Sequence, residues 1–323
     1  MIRVDSEWAP LRECVYGWPG QHVFGEFLQD AELRPSGAFA DVWRANAGRS
    51  LAEVDPEMFA RWSAEIEGVV AFLRSSGVVV HQPTLLSDEN MRFPRGQNHG
   101  SMTGWMRDPF VTIGDNVIEL APRSLFHRRQ RFAIRHILFS AMERGARYFA
   151  QPDGGADDNL QDRPGFGYLE GGDIFVLGTT VLVGHSGAAS NLDGARWLQH
   201  MLGDGFRVEL VQIAPGATHL DLFLMTPREG VVVACLEGFP DGLPTVFRDW
   251  DVIDVPFAVA RRLCGINQLV LDDRTVVVAD GEAHEPLATA LKARGFDVPR
   301  LPYGVVATFG GSLRCAYQPL ARY

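Results

Sequence analysis

Four times along the chain, an apolar run of strand length is followed by a tight polar turn and a second apolar run. These segments are FVTIGDNVIEL (110–120), IFVLGTTVLVG (174–184), LFLMTPREGVVVA (222–234) and QLVLDDRTVVVA (268–279). Their turns, Gly-Asp-Asn, Gly-Thr-Thr, Pro-Arg-Glu-Gly and Asp-Asp-Arg, supply the residues that hairpin connections need. The pattern predicts four β-hairpins. Apolar positions at helical spacing predict helices between or after them. One begins at Asp55-Pro56, an N-cap acid with proline in the first turn, and runs to about Ser75 ahead of Gly77. Others are predicted over 124–144, 192–202, 257–264 and 284–294, the last closed by Gly295. Short strands at 78–80 and 206–210 follow two of these helices. The class is α/β.

The residues just ahead of the hairpins share one register. Asp108 (one proline before Phe110), Asp173, Asp221 and Asn267 occupy equivalent places, and Cys315 continues the series. Their spacings are 65, 48, 46 and 48 residues. A period in this range with strands in each unit predicts a radial array, a propeller in which equivalent strand ends meet at the axis. The whole chain, 1–323, then reads as one domain, with three carboxylates and a thiol facing one pocket. The long spacing holds a polar, glycine-rich run at 151–167, a candidate lid. A second polar insertion, 87–104, is placed to line the same mouth.

Composition narrows the possible partners. Of the residues, 46% are hydrophobic and 22% charged, as in soluble globular proteins, and the net charge is −10. That balance argues against nucleic acid, whose phosphates call for clustered Lys and Arg. The longest basic cluster, Arg128-Arg129-Gln130-Arg131, reads as the wet side of the 124–144 helix. No apolar stretch approaches the ~20 residues of a membrane span, and Met1-Ile2-Arg3-Val4-Asp5 does not open like a signal peptide. Cys14, Cys235, Cys264 and Cys315 are widely separated and form no CxxC pair, which suits a reducing, cytoplasmic setting.

Beside the axial positions stand Glu170, three residues before Asp173 in LEGGD, and His219, two before Asp221 in THLD. If THLDLF is extended, His219 and Asp221 point to one face. A cysteine nucleophile needs a neighbouring base, and that base needs a group to orient it. Cys315, His219 and Glu170 can take those roles in order, leaving Asp108 and Asp221 as anionic walls suited to a cationic substrate. Taken singly, each is as consistent with a buried strand residue or a turn. A mononuclear metal site is the competing use of the same residue types. It calls for a second histidine, for which His185 is the only nearby candidate. Gly310 and Gly311 ahead of Cys315 permit a close main-chain approach to whatever the thiol meets.

The ordered set MRDP, LEGGD, THLD and GGSLRC resembles the guanidino-group-modifying superfamily of arginine deiminases, dimethylarginine hydrolases and amidinotransferases. The similarity runs over nearly the whole chain and is greatest to the glycine and inosamine-phosphate amidinotransferases, through EWAPLRECVYG, EIEGVVAFLRSSGVVV, SNLDGARWLQHML and INQLVLDDRTVVV. The resemblance implies the pentein fold, a five-module pseudo-symmetric ββαβ propeller. It implies Cys315 as nucleophile, His219 as acid/base and Glu170 as the carboxylate that orients the histidine. Asp108 and Asp221 match the pair that holds the guanidinium, and Asp173 a further acidic position. Arg107 and Arg314, beside the first and last of these positions, are placed with the substrate contacts. The implied activity moves the amidino group of a guanidino donor, L-arginine, to an acceptor amine, releasing L-ornithine, with no cofactor or metal. The bacterial relatives suggest a homodimer. A hydrolase of the same superfamily is the alternative, and a non-catalytic binding protein on the same fold a third. Two departures stand out. GHSGAASN lacks the arginine that deiminases carry there, and Gly238 falls where glycine-type transferases place a donor-binding arginine. Arg261 and Arg262 fall near donor-contacting positions of the family and are the candidate substitutes.

Overall fold

In the computed structural model of the chain, the described residues are 1–18, 20, 22–25, 45–93, 100–153, 165–215 and 217–323, the side chains of residues 125, 126, 262 and 263 excepted. The four predicted hairpins form, and each gains a third, parallel strand. Phe110–Ile113 pairs antiparallel with Asn116–Glu119, which pairs parallel with Arg147–Ala150. Ile174–Leu177, Thr180–His185 and Arg207–Gln212 repeat the arrangement. So do Leu224–Arg228, Val231–Ala234 and Asp251–Asp254, and after them Leu269–Val270, Val276–Ala279 and Arg300–Leu301. A fifth sheet is built from both ends of the chain. There Tyr317–Arg322 runs antiparallel to Leu11–Tyr16, which pairs parallel with Val79–His81, while Arg3–Val4 flanks the C-terminal strand. The parallel third strands need long connections, and helices supply most of them.

Local chemistry sets the helix boundaries. The helix Pro56–Ser75 starts where the Asp55 carboxylate accepts the Met58 amide at 2.9 Å, and it buries Trp62, Ile66, Val69, Val70 and Leu73. Leu192–Leu202 starts at Asn191, whose side chain accepts from Gly194 N, and it has the predicted bounds. In the third sheet the connection holds two 3-10 turns, Leu236–Gly238 and Thr245–Phe247, and the helix Phe257–Leu263 follows the last strand instead. The inner hairpin strands are buried on both faces, so they read as continuous apolar runs rather than alternating ones.

Two expectations need correction. The helix predicted over 124–144 is three pieces: Leu125–Arg128, the 3-10 stretch Arg129–Ala133, and Arg135–Glu143. Arg128, Arg129, Gln130 and Arg131 do not form a wet face but are buried. Arg128 donates to the Pro122 and Arg123 carbonyls, Arg129 to Gly100 O at 2.7 Å, and Gln130 to Met102 O. Long polar side chains turned inward to main-chain acceptors break the amphipathic pattern that an unbroken helix would need. Most of the candidate lid, 154–164, lies outside the described residues, as do 94–99 of the second insertion.

Candidate active site

The five strand-entry positions are tied to one another by hydrogen bonds that run from sheet to sheet. Gly172 N donates to Asp108 Oδ1 at 2.9 Å, and Leu220 N to Asp173 Oδ1 at 2.9 Å. Asn267 Nδ2 donates to Asp221 O at 3.2 Å, and its Oδ1 accepts Ser312 N at 3.0 Å and Cys315 N at 3.1 Å. Arg107 N donates to Cys315 O at 3.0 Å, which returns to the first position. Asp173 and Asp221 do not lie on the strands themselves. They sit in the 3-10 turns Gly171–Asp173 and Leu220–Leu222 at the strand entries. His219 is extended and precedes the second turn, so it and Asp221 share the site through a turn rather than through strand alternation.

The candidate catalytic groups are all buried. His219 Nε2 lies 2.7 Å from Glu170 Oε2 and 3.7 Å from Asp108 Oδ1. Glu170 is fixed at its other oxygen by Arg123 N at 3.0 Å. The imidazole packs against Gly172, where a Cβ would fall 2.7 Å from the ring, so no other residue fits there without moving His219. Cys315 Sγ is 3.8 and 4.0 Å from the two Asp221 oxygens. Gly310, at the start of the turn that carries the thiol, adopts φ of +93°, a region open to glycine.

The charges are unevenly matched. Burial works against the His219 imidazolium, but Asp108 and Glu170, both near Nε2, hold it protonated well above the usual imidazole range. Burial likewise opposes the Glu170 carboxylate, yet its hydrogen bond to His219 brings it down to about 2. Burial pushes Asp221 up, with Asp108 adding to the shift against the pull of His219 and Arg314. The Cys315 thiol is pushed well up, by burial first and then by Asp221 and Asp108. Carboxylates thus exceed cations around a protonated thiol, and a bound cation would restore the balance.

Asp108, Glu170 and His219 each bring one ligand atom within 4.8 Å of the others, close enough for one divalent cation. The 2.7 Å contact between His219 and Glu170 is a hydrogen-bond length. It is shorter than the roughly 3.3 Å that would separate two ligands on a tetrahedral zinc. His185 is not in this group; its Nδ1 lies 3.1 Å from Gln212 Oε1.

The remaining expected residues are built into the frame. Asp173 accepts Ser190 N at Oδ2 and Leu220 N at Oδ1, and burial pushes its carboxyl up to about 7. Arg107 donates to Gly171 O and Ile174 O, both at 3.2 Å. Arg314 stacks 4.1 Å over the Phe175 ring and donates to Glu7 at 2.7 Å. A Cβ at Gly238 would lie 2.7 Å from the Phe223 ring, so an arginine there would have to displace an aromatic side chain of the core. Arg261 is half-buried on the helix Phe257–Leu263, and the Arg262 side chain lies outside the described residues. Sequence reasoning missed two residues of the site's frame. Asn267 appeared only as a place in the series, with no role attached. Glu7 carries no signal, being one of several polar and charged residues in RVDSEWAPLRE.

The fold is α/β, and the relatives of the chain are enzymes. No family model matches the chain. The putative inosamine-phosphate amidinotransferase 2 of Streptomyces griseus is 28% identical over 340 residues, covering 96% of this chain and 94% of the relative. The L-arginine:L-lysine amidinotransferase of Pseudomonas savastanoi pv. phaseolicola is 25% identical over 312 residues, 87% of this chain and 83% of the relative. Among solved structures, an amidinotransferase from Microseira wollei in the saxitoxin biosynthetic pathway superposes with a TM-score of 0.83 at 22% identity, covering 99% of this chain and 97% of that one. The chain is similar over nearly its whole length to amidinotransferases, and it shares the α/β fold of solved amidinotransferases and related pentein-fold enzymes.

Proposed function

We propose that the protein transfers the amidino group of L-arginine to an acceptor amine through a covalent amidino-Cys315 intermediate, releasing L-ornithine. The observation that carries this reading is the Cys315 thiol set 3.8 Å from Asp221, in a buried cluster where carboxylates exceed cations. In this reading a guanidinium docks between Asp108 and Asp221, which fix its plane and set its carbon against the sulfur. The docked cation favours the thiolate, and the thiol proton leaves to solvent. It also draws on Asp108, one of the carboxylates that hold His219 protonated. The sulfur attacks the carbon, His219 gives its proton to the departing amine, and the amidino group remains on sulfur. The acceptor amine then loses a proton to His219, attacks the same carbon and expels the thiolate. Glu170 orients the imidazole throughout. Asp173, Arg107 and Arg314 position these groups without touching substrate.

No metal or cofactor has a step in this scheme. Residues 1–323 act as one catalytic domain, a closed ring of five modules, and the protein works as a homodimer in the cytoplasm. Four unpaired cysteines fit a reducing compartment, and among the described residues no helix is long and apolar enough to cross a membrane. The donor carboxylate is not held from position 238, where Phe223 fills the space. Incubation with L-arginine, with and without a panel of amines, tests the assignment by ornithine, citrulline and ammonia. Ornithine that depends on the acceptor supports transfer. Citrulline or free ammonia formed without an acceptor supports the hydrolase instead.

A further inference from the structure

Behind Asp221 lies a buried ion cluster of Arg107, Arg314 and Glu7, and the scheme above gives Glu7 no role. Glu7 reaches in from the N-terminal segment and is itself buried. Its Oε1 accepts Val176 N at 3.1 Å, and its Oε2 lies 2.7 Å from Arg314 Nη1 and 3.6 Å from Arg107 Nη2. These two arginines directly precede Asp108 and Cys315 in the chain and are both buried. Arg314 also reaches the site, with Nε 3.7 Å from Asp221 Oδ2, and Asp221 in turn faces the thiol. Arg314 therefore stands between the Glu7 carboxylate, which it shares with Arg107, and the anionic Asp221 wall of the site.

We infer that Glu7 is a positioning residue: it neutralises Arg107 and Arg314, keeping their charge from Asp221 and the Cys315 thiol and so preserving a pocket that favours a cation. The substrate half of this inference rests on the reading given under the proposed function; the thiol half does not. The charged and titratable groups acting on Cys315 are Asp221, Asp108 and Cys264, with Tyr303 beyond it. Those acting on Asp221 are His219, Arg314, Arg107 and Asp108, and those acting on Glu7 are Arg314, Arg107 and Arg322. Arg322 donates to Ala9 O, Val270 O and the Tyr317 hydroxyl, so it has its own acceptors when Glu7 changes. Arg107 and Arg314 depend on Glu7 for their shared carboxylate. Removing it leaves two like charges 3.7 Å and further from the wall of the site.

The test is the rate of Cys315 alkylation by iodoacetamide in the free enzyme across pH, read by peptide mass spectrometry, for wild type, Glu7→Gln and Glu7→Asp. Glu7→Gln should move the alkylation profile to lower pH and raise the rate near neutrality by about tenfold, the effect of one pH unit. The donor KM should rise by a similar factor while the thiol becomes more reactive. Loss of packing alone would lower activity without making the thiol more acidic. Glu7→Asp keeps the charge one methylene further back and should return both readouts most of the way to wild type. A folded Glu7→Gln protein with an unchanged alkylation profile overturns the inference. If Glu7→Gln does not fold, Glu7→Asp decides, because its longer contact should still give a smaller shift in the same direction, and no shift refutes it. Absence of turnover with every guanidino donor would count against the proposed function and leave the alkylation result standing.

Discussion

Asp173 and Asn267 occupy the same register as Asp221 and Cys315, yet the two pairs differ in where their polar atoms go. Asp173 gives both oxygens to the main-chain amides of Ser190 and Leu220, and Asn267 joins Asp221 O on one side to the Ser312 and Cys315 amides on the other. Asp221 instead turns its oxygens to the thiol and to Arg314. Repetition of a backbone motif has supplied five similar places. The side chains at two of them hold neighbouring turns together, while those at others face the candidate active site. Equivalent position therefore does not mean equivalent role, and hydrogen-bond partners distinguish the roles where spacing cannot.

The contrast predicts opposite signatures. Asp221→Asn keeps the shape but removes the charge that would hold a guanidinium. The donor KM should rise by about 10- to 100-fold, the worth of one charge-assisted hydrogen bond. Its unfolding midpoint should hold or rise, because burial already disfavours that charge. Asn267→Ala should do the reverse. It leaves the Ser312 and Cys315 amides without their acceptor, at a cost of about 1–3 kcal/mol for each buried group, read as a lower midpoint in denaturant. An Asp221→Asn protein with an unchanged KM and a lower midpoint would erase the distinction.

A smaller effect concerns pH. The Asp173 carboxyl is raised by burial to about 7. Between its unfolded value and that point, the folded state holds a proton that the unfolded state has released. Stability must therefore fall as pH rises through this window, by at most about 1.4 kcal/mol per unit. Asp173→Asn cannot ionise and should flatten the slope between about pH 4 and 7. Denaturant titrations at several pH values would show it, and parallel slopes for the two proteins would remove Asp173 as the cause.

The hairpins were legible because their apolar runs and turn residues are local, and the helix 192–202 because its cap and periodicity are. The fifth sheet was not, since its strands come from opposite ends of the chain and no turn joins them. The buried arginines at 128, 129 and 131 misled for a related reason. Their partners are main-chain carbonyls and distant carboxylates, which leave no mark at helical spacing. His219 and Glu170 could be paired by type, and they lie 2.7 Å apart. Glu7 could not be connected to Arg314 across 307 residues by any pattern in the sequence.

The central claim is that Cys315 carries the amidino group between donor and acceptor. Intact-protein and peptide mass spectrometry after brief exposure to L-arginine tests it most directly. The expected result is the mass of one amidino group on Cys315, discharged when an acceptor amine is added and absent from Cys315→Ala. An adduct that persists in Cys315→Ala would contradict the account, as would acceptor-dependent ornithine formation by that variant.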